Sequence, residues 1–116
     1  MTYISKNPIK QLSATTGTIA LANSDIANDA VLTITATGAV IINQTTAFSI
    51  TESTRWILEF TQDGVGSRTL TLGTNILTPG GVAPFVSAAI NATDVLVFET
   101  DSAGSSRLIE HRKAYA

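Results

Sequence analysis

The side chains of this sequence that could carry acid–base or metal chemistry are few and scattered. The only histidine is His111, between Glu110 and Arg112, and there is no cysteine. Without cysteine neither a disulfide nor a thiolate metal site can form, and a zinc site built mostly from carboxylates is uncommon. A single histidine near the C-terminal end of the sequence is typical of a solvated side chain rather than of a general base. We therefore expect no metal site and no cofactor.

Two short motifs resemble ligand loops but lack the residues that such loops need. Asp25 and Asp29 have a spacing similar to a calcium loop, without its alternating oxygen ligands or its terminal glutamate. Asn and Asp at such positions favour turns and caps. The stretch GVGSRT, residues 64–69, has two of the three glycines of a dinucleotide fingerprint and is predicted to lie in a hairpin. Neither motif predicts a binding site.

The remaining neighbouring carboxylates do not predict an active site either. Glu52, Glu59 and Asp63 could form a glycosidase pair only at a separation that a sequence does not show. Glu59 shares a predicted strand face with Arg55, four residues away, which suggests pairing at the surface. We expect that the protein is not an enzyme.

Alternating apolar residues predict short β-strands along most of the chain. In residues 54–62 the side chains of Trp56, Leu58 and Phe60 fall on one face. Residues 30–43 alternate on both sides of Thr37-Gly38, which favours a hairpin with its turn there. Further strands are predicted over residues 68–72, 94–100 and 107–111. Strands that recur roughly every 10 to 15 residues predict an all-β fold, an antiparallel β-sandwich or a jelly-roll-like barrel.

Two further predictions concern the burial of one strand and the N-terminal end of the sequence. Residues 94–100, DVLVFET, are apolar at nearly every position, so both faces of this strand are expected to be buried. Residues 1–16 contain Pro8 and two lysines and show no steady period, which predicts an extended N-terminal arm. Residues 17–116 are then one β-sandwich domain, the size expected of a single domain.

The composition favours a protein whose surface is partly covered by partners. Charged residues make up 14% of the chain, against about 25% in an ordinary soluble domain. The formal net charge of −2 argues against a nucleic-acid partner, and the absence of a long apolar run argues against a membrane span. A monomeric β-domain with a nearly neutral surface remains the alternative.

The stretch TPGGVAP predicts a stiff corner in the backbone. Pro79 presets its own φ, while Gly80 and Gly81 permit angles closed to other residues, and Pro84 keeps Ala83 extended. Such a corner suits a strand that switches from one sheet to another. A phosphate-binding loop is disfavoured, because no helix pattern follows and the lysine of a P-loop is missing.

Residues 54–100 resemble a β-module found in virion proteins of tailed bacteriophages. That module has an aromatic-rich strand, a glycine turn, an arginine-led strand, a PGG-x-AP corner, and an asparagine-alanine-x-aspartate step into an apolar strand. Leu72 stands where a tryptophan is often seen in the module. The matching positions are Trp56, Phe60, Gly64, Gly66, Arg68, Pro79, Gly80, Gly81, Ala83, Pro84, Asn91, Asp94, Val95 and Phe98.

The resemblance implies a virion structural protein, made in the host bacterial cytoplasm and located on the capsid surface. The favoured role is a capsid decoration (cement) protein that binds the major capsid protein as a homotrimer. The alternative is a receptor- or glycan-binding tip of a tail fibre or baseplate, which the assignment of Trp56, Phe60 and Phe98 to the core disfavours. The expected capsid contacts lie in the arm: Tyr3, Ile4, Lys6, Ile9 and Lys10.

Overall fold

The computed structural model describes residues 9–22, 29–44, 55–100 and 104–115. Within these ranges no helix is long and apolar enough to cross a membrane. The prediction of an all-β fold is confirmed. The described residues form seven strands, β1 (Ile9–Leu21), β2 (Val31–Gln44), β3 (Arg55–Gln62), β4 (Leu70–Leu72), β5 (Ile76–Leu77), β6 (Thr93–Thr100) and β7 (Ser106–Tyr115), with a 3₁₀ turn at Pro79–Gly81.

All seven strands belong to one mixed sheet that curls into a half-barrel. Their order is β1-β2-β3-β6-β7-β5, and β4 pairs with β2 beside β3. The pairs β1/β2, β2/β3, β2/β4 and β5/β7 are parallel, whereas β3/β6 and β6/β7 are antiparallel. The antiparallel pairing expected from the sequence is present in β3/β6 and β6/β7, and the parallel half of the sheet was not anticipated.

The hairpin predicted within residues 30–43 is wrong, because this stretch is one continuous strand, β2. Its buried residues keep the same parity on both sides of Gly38, from Ala36 to Val40, so no turn is needed. Gly38 serves close packing instead: a Cβ atom there would collide with the side chain of Thr16 in β1.

The hairpin predicted around residues 64–69 is also wrong. β3 and β4 both run parallel to the same neighbour, β2, in successive positions. β3 ends opposite Ala36, and β4 begins opposite Val40. Residues 63–69 are therefore an outward loop within one row of the sheet, since the chain continues in the same direction after it.

Residues 9–16, which the sequence analysis assigned to the arm, form the first part of β1. Ile9 pairs with Val31 and Lys10 with Leu32 in a parallel ladder. Register shifts follow Leu12 and interrupt the strand's two-residue period, which explains why no alternation is visible in the sequence. The candidate contact residues Tyr3, Ile4 and Lys6 lie outside the described residues.

The core lies on the concave side of the sheet. Trp56 and Phe98 stack at its centre with ring centroids 4.2 Å apart and an interplanar angle of 13°. Trp56, Leu58 and Phe60 are all buried, which confirms the predicted inward face of β3. In β6 only one face is fully buried, because Val95 and Val97 are half-buried while Leu96 and Phe98 are inaccessible. The prediction that both faces of this strand are covered is therefore wrong for the single chain.

A buried polar cluster, called here the Trp56 cluster, joins β2, β3 and β7. Trp56 Nε1 donates a hydrogen bond to Ser106 Oγ (2.9 Å), which in turn donates to Gln44 Oε1. Gln44 Nε2 donates to the carbonyl of Gly104 (2.9 Å), and Asn75 Nδ2 donates to the carbonyl of Gln44 (3.0 Å). Asn75 lies between β4, which pairs with β2, and β5, which pairs with β7. The stretch between β4 and β5 that contains Asn75 thus connects the two sides of the curled sheet.

Candidate functional site

The predicted corner residues form a tight turn. Pro79 begins it, and Gly80 and Gly81 have φ angles of +63° and +71°, in the left-handed region that glycine favours. Gly81 N donates to the carbonyl of Thr78 (2.9 Å), and Val82 N to that of Pro79 (3.2 Å). The turn does not connect two sheets, because the strands that the structure describes all belong to one. It carries the chain away from β5 into residues 82–92, which belong to no strand.

Residues 78–92, called here the corner segment, present apolar side chains to solvent. The segment contains no charged residue. The ring of Phe85 is 82% exposed, while its neighbours Pro84 and Val86 are half-buried against the domain. The large exposed apolar side chains of the segment are Val82, Phe85 and Ile90. Large exposed apolar patches on a folded domain mark surfaces that bind partners.

A groove of about 300 Å³, called here the Phe85 groove, runs beside the exposed ring. Its apolar walls come from the corner segment and β4, and its polar rim comes from the loop before β4. The lining residues are Ser67, Arg68, Thr69, Leu70, Ala83, Pro84, Phe85, Val86 and Ala88. The groove therefore offers an apolar floor with a few polar groups at the rim, the usual composition of a binding surface.

The corner segment is fastened to the sheet from below by the side chain of Gln62. Gln62 Nε2 donates to the carbonyls of Arg68 and Ser87, both at 2.8 Å, and Gln62 Oε1 accepts from the backbone N–H of Arg68 (2.8 Å). Ser67 N adds a bond of 2.8 Å to the carbonyl of Ala88. Since this amide is buried and bonded on both sides, it holds the two walls of the Phe85 groove at a set distance.

The outward loop at the rim is closed by an ion pair between Asp63 and Arg68. Arg68 Nε donates to Asp63 Oδ1 (3.2 Å), and Nη2 donates to Oδ2 (2.9 Å). The backbone N–H groups of Val65 and Gly66 also donate to Asp63 Oδ1. The hydrogen bond from Arg68, followed by that from Gly66, holds the pKa of Asp63 well below its ordinary value, and the same pair raises the pKa of Arg68.

His111 is not the solvated side chain that its position in the sequence suggests. It is 14% exposed, and its Nε2 lies 2.8 Å from Oδ2 of the buried Asp94. A bulge at Ile109 shifts the register so that His111 stands opposite Leu96 and faces inward. Asp94 Oδ2 also accepts a hydrogen bond from Ser87 N (2.8 Å), so the pair ties β7 to the corner segment.

Within the described part of the chain, this pair does not belong to a metal-binding group of three. Among the residues that the structure describes, no three histidine, aspartate or glutamate side chains are grouped to bind a metal ion. Asp29 is described and has a φ of +59°, the turn geometry expected of it. Asp25 and Glu52 lie outside the described ranges.

The surface pair predicted between Arg55 and Glu59 does not form. Arg55 instead contacts Glu99 on the neighbouring strand, with a distance of 3.1 Å between Nη2 and Oε2. Glu59 accepts a hydrogen bond from Thr33 Oγ1 across the other ladder (3.3 Å). Residues four apart along a strand are separated by about 13 Å, whereas cross-strand neighbours are about 5 Å apart. Arg55 and Glu59 therefore each contact a side chain on a neighbouring strand and not one another.

A second groove lies on the other side of the 3₁₀ turn, with a volume of about 470 Å³. Leu77, Pro79 and Ile109 contribute its apolar lining, and Arg107 stands at its edge. It is separate from the Phe85 groove, since no residue lines both.

The candidate binding residue that the sequence pattern did not reveal is Phe85. Trp56, Phe60 and Phe98 were predicted to lie in the core, and no role was predicted for Phe85. A signal was present, because Phe85 follows Pro84 and has no alternating apolar partners that would place it in a strand.

Comparison with protein-family models, curated proteins and solved structures finds no match for this chain.

Proposed function

We propose that this protein is a structural component of a tailed-bacteriophage virion and that it acts by binding rather than by catalysis. Its most specific role is that of a capsid decoration (cement) protein, located on the outer shell as a homotrimer. The observation that carries the proposal is the corner segment: a charge-free stretch that exposes apolar side chains, Phe85 most of all, and that Gln62 fastens to the sheet. The resemblance of residues 54–100 to virion modules supplies the setting.

The mechanism of such a protein is additive contact. A protein that binds the assembled shell and not its free subunits stabilises the shell by mass action. A stiff domain is suited to this work, because little conformational freedom is lost when it docks. The corner segment meets that requirement, since Gln62 and Asp94 both fix its backbone.

The contact to the major capsid protein is assigned to the N-terminal residues Tyr3, Ile4, Lys6, Ile9 and Lys10. Ile9 and Lys10 begin β1, which is the last strand on its side of the sheet. Residues 9 and 10 therefore lie at an edge of the sheet that the structure describes. Two lysines among apolar side chains suit an acidic, partly apolar shell surface.

The proposal is tested by co-sedimentation of the purified protein with empty capsids of the phage that encodes it. We expect the full chain to pellet with capsids and a variant without residues 2–8 to stay in solution. The far-ultraviolet circular dichroism of the truncated variant should match that of the full chain, because the deletion ends before β1. A full chain that stays in solution at saturating capsid concentration would refute the cement role.

A second function, the recognition of a host glycan by a tail-fibre or baseplate tip, is favoured by one observation. Sugar-binding sites display exposed aromatic rings, and Phe85 is such a ring beside the polar groups of Ser67 and Thr69. Binding of the labelled protein to an array of bacterial surface glycans tests this role. A signal that Phe85→Ser abolishes would favour the tip function over the cement function.

A further inference from the structure

We infer that the Phe85 groove binds the Phe85 side chain of a second copy of this chain. The inference rests on the proposed function, in which the protein assembles with itself, and assigns the contact through which it does so. It concerns the corner segment and β4, whereas the capsid contact above concerns the N-terminal residues. The two can therefore fail separately.

The first step is that Phe85 is not buried by any part of the chain that the structure describes. Its ring is 82% exposed although it stands at the rim of an apolar groove. An aromatic side chain can bury about 150–250 Å² of surface, so leaving this one in water forgoes a large apolar contact. Pro84 and Val86 turn toward the domain, and the alternation of an extended backbone directs Phe85 outward. No residue that the structure describes covers Phe85, so a group from another chain can bury its ring.

The second step is that the groove can hold such a ring. Its volume is about 300 Å³, and an apolar cavity of about 150 Å³ already binds benzene. Leu70, Ala83 and Val86 give it an apolar wall. The charge nearest to it, that of Arg68, is already paired with Asp63. The groove thus suits an uncharged apolar group better than an anion.

The third step identifies the occupant as a copy of the same chain. The projecting ring stands at the rim of the groove between the corner segment and β4, so two copies of this surface can each supply a ring and a groove. The segment offers no charged residue that would select a charged partner. The backbone N–H groups of Ala83, Phe85 and Val86 make no hydrogen bond to any residue that the structure describes, so a neighbouring backbone can pair with them.

This arrangement closes without leaving a groove empty. Two copies can exchange their Phe85 side chains about a two-fold axis. Alternatively, three copies related by a three-fold axis can each bind the Phe85 side chain of the neighbouring copy. In both cases every ring is buried and every groove is filled. An aromatic anchor in the centre of such a contact is the usual site where most of the binding free energy is concentrated.

The test is the mass of the protein at sedimentation equilibrium over a range of concentrations. We expect the wild-type chain to be oligomeric and Phe85→Ser to be monomeric, with an association constant at least about tenfold weaker. Ala83→Arg, which places a long charged side chain on the groove wall, should have the same effect. The matched control is Ile109→Ser, since Ile109 is also exposed but lines the second groove, and it should keep the wild-type mass.

The outcomes separate this inference from the proposed function. A wild-type monomer, a Phe85→Ser variant that keeps the oligomer, or an Ile109→Ser variant that loses it would each overturn the Phe85 contact. An oligomer that depends on Phe85 but does not pellet with capsids would leave the contact standing and refute the cement role. Because Phe85 is exposed, Phe85→Ser should keep the wild-type circular dichroism spectrum, and Ala83→Arg provides an independent variant.

Discussion

The Trp56 cluster and the corner segment place polar and apolar groups in opposite ways. In the cluster, polar groups are hidden inside the domain, and Trp56, Ser106 and Gln44 satisfy one another there. In the corner segment, apolar groups are displayed to solvent, with Phe85 the most exposed of them. Both arrangements would be costly without partners. The first has its partners within the chain, and we propose that the second finds them in another chain.

From this contrast we expect the Trp56 cluster to contribute to the stability of the fold and the corner segment to contribute to assembly. Substitutions in the Trp56 cluster should lower the free energy of unfolding, and those in the corner segment should change association instead. Gln62 and Asp94 hold the corner segment to the sheet through the carbonyl and the N–H of Ser87. The same type of substitution should therefore have a different effect at each place.

The largest expected effect is that of Phe98→Ala. The change removes one ring of the buried stack and leaves a cavity beside Trp56, which should lower the free energy of unfolding by about 3–5 kcal/mol. Urea denaturation followed by Trp56 fluorescence measures it. A loss below 1 kcal/mol, roughly the cost of an ordinary substitution, would mean that the stack is not the centre of the core.

Ser106→Ala should cost less, about 1–3 kcal/mol, because it leaves Trp56 Nε1 and Gln44 Oε1 buried without this partner. Trp56→Phe removes the same hydrogen bond from the other side. If the bond matters, the double variant should cost less than the sum of the single variants in denaturation experiments. Additive losses would show that the two side chains act independently.

Asp63→Asn should make stability less dependent on acid pH. The pKa of Asp63 is lower in the folded protein than in the unfolded chain, so the unfolded state binds more protons as the pH falls. The stabilisation is complete above the ordinary aspartate pKa of about 3.9 and is lost as the pH falls below it. Denaturation at pH 7 and pH 3 should show a wild-type advantage at pH 7 that shrinks at pH 3.

The control for this pH dependence is Glu99→Gln. Glu99 forms a more exposed ion pair with Arg55, to which one hydrogen bond contributes. Exposed pairs contribute little to stability. An equal pH dependence for both substitutions would remove the special role assigned to Asp63 in closing the loop.

The smallest expected effect on stability is that of Phe85→Ala, which is chemically the same change as Phe98→Ala. At concentrations where the protein is monomeric, the free energy of unfolding should change by no more than about 0.5 kcal/mol, because the ring is exposed. At high concentration the wild type should gain stability through association, and this variant should not. A large loss in the monomer would place Phe85 in the core and end the comparison.

The residue pattern predicted the positions of the strands better than it predicted which strands and side chains lie next to one another. The inward face of Trp56, Leu58 and Phe60 follows from simple alternation and is confirmed. The pairing of Arg55 was predicted from proximity along the chain and is wrong, because its partner Glu99 comes from a strand more than forty positions away. The inward position of His111 depends on a bulge, which shifts side chains without leaving a mark in the composition.

The sequence by itself determined that this protein is all-β, that Trp56 and Phe98 are buried, and that the chain turns sharply at Pro79–Gly81. These features depend on local properties: two-residue alternation, aromatic size and the φ angles open to proline and glycine. Only the tertiary structure decided that β1, β2 and β3 run parallel and that Phe85 projects beside a groove. Strand direction and exposure depend on contacts between distant residues, and alternation along a strand is the same whichever way its neighbour runs.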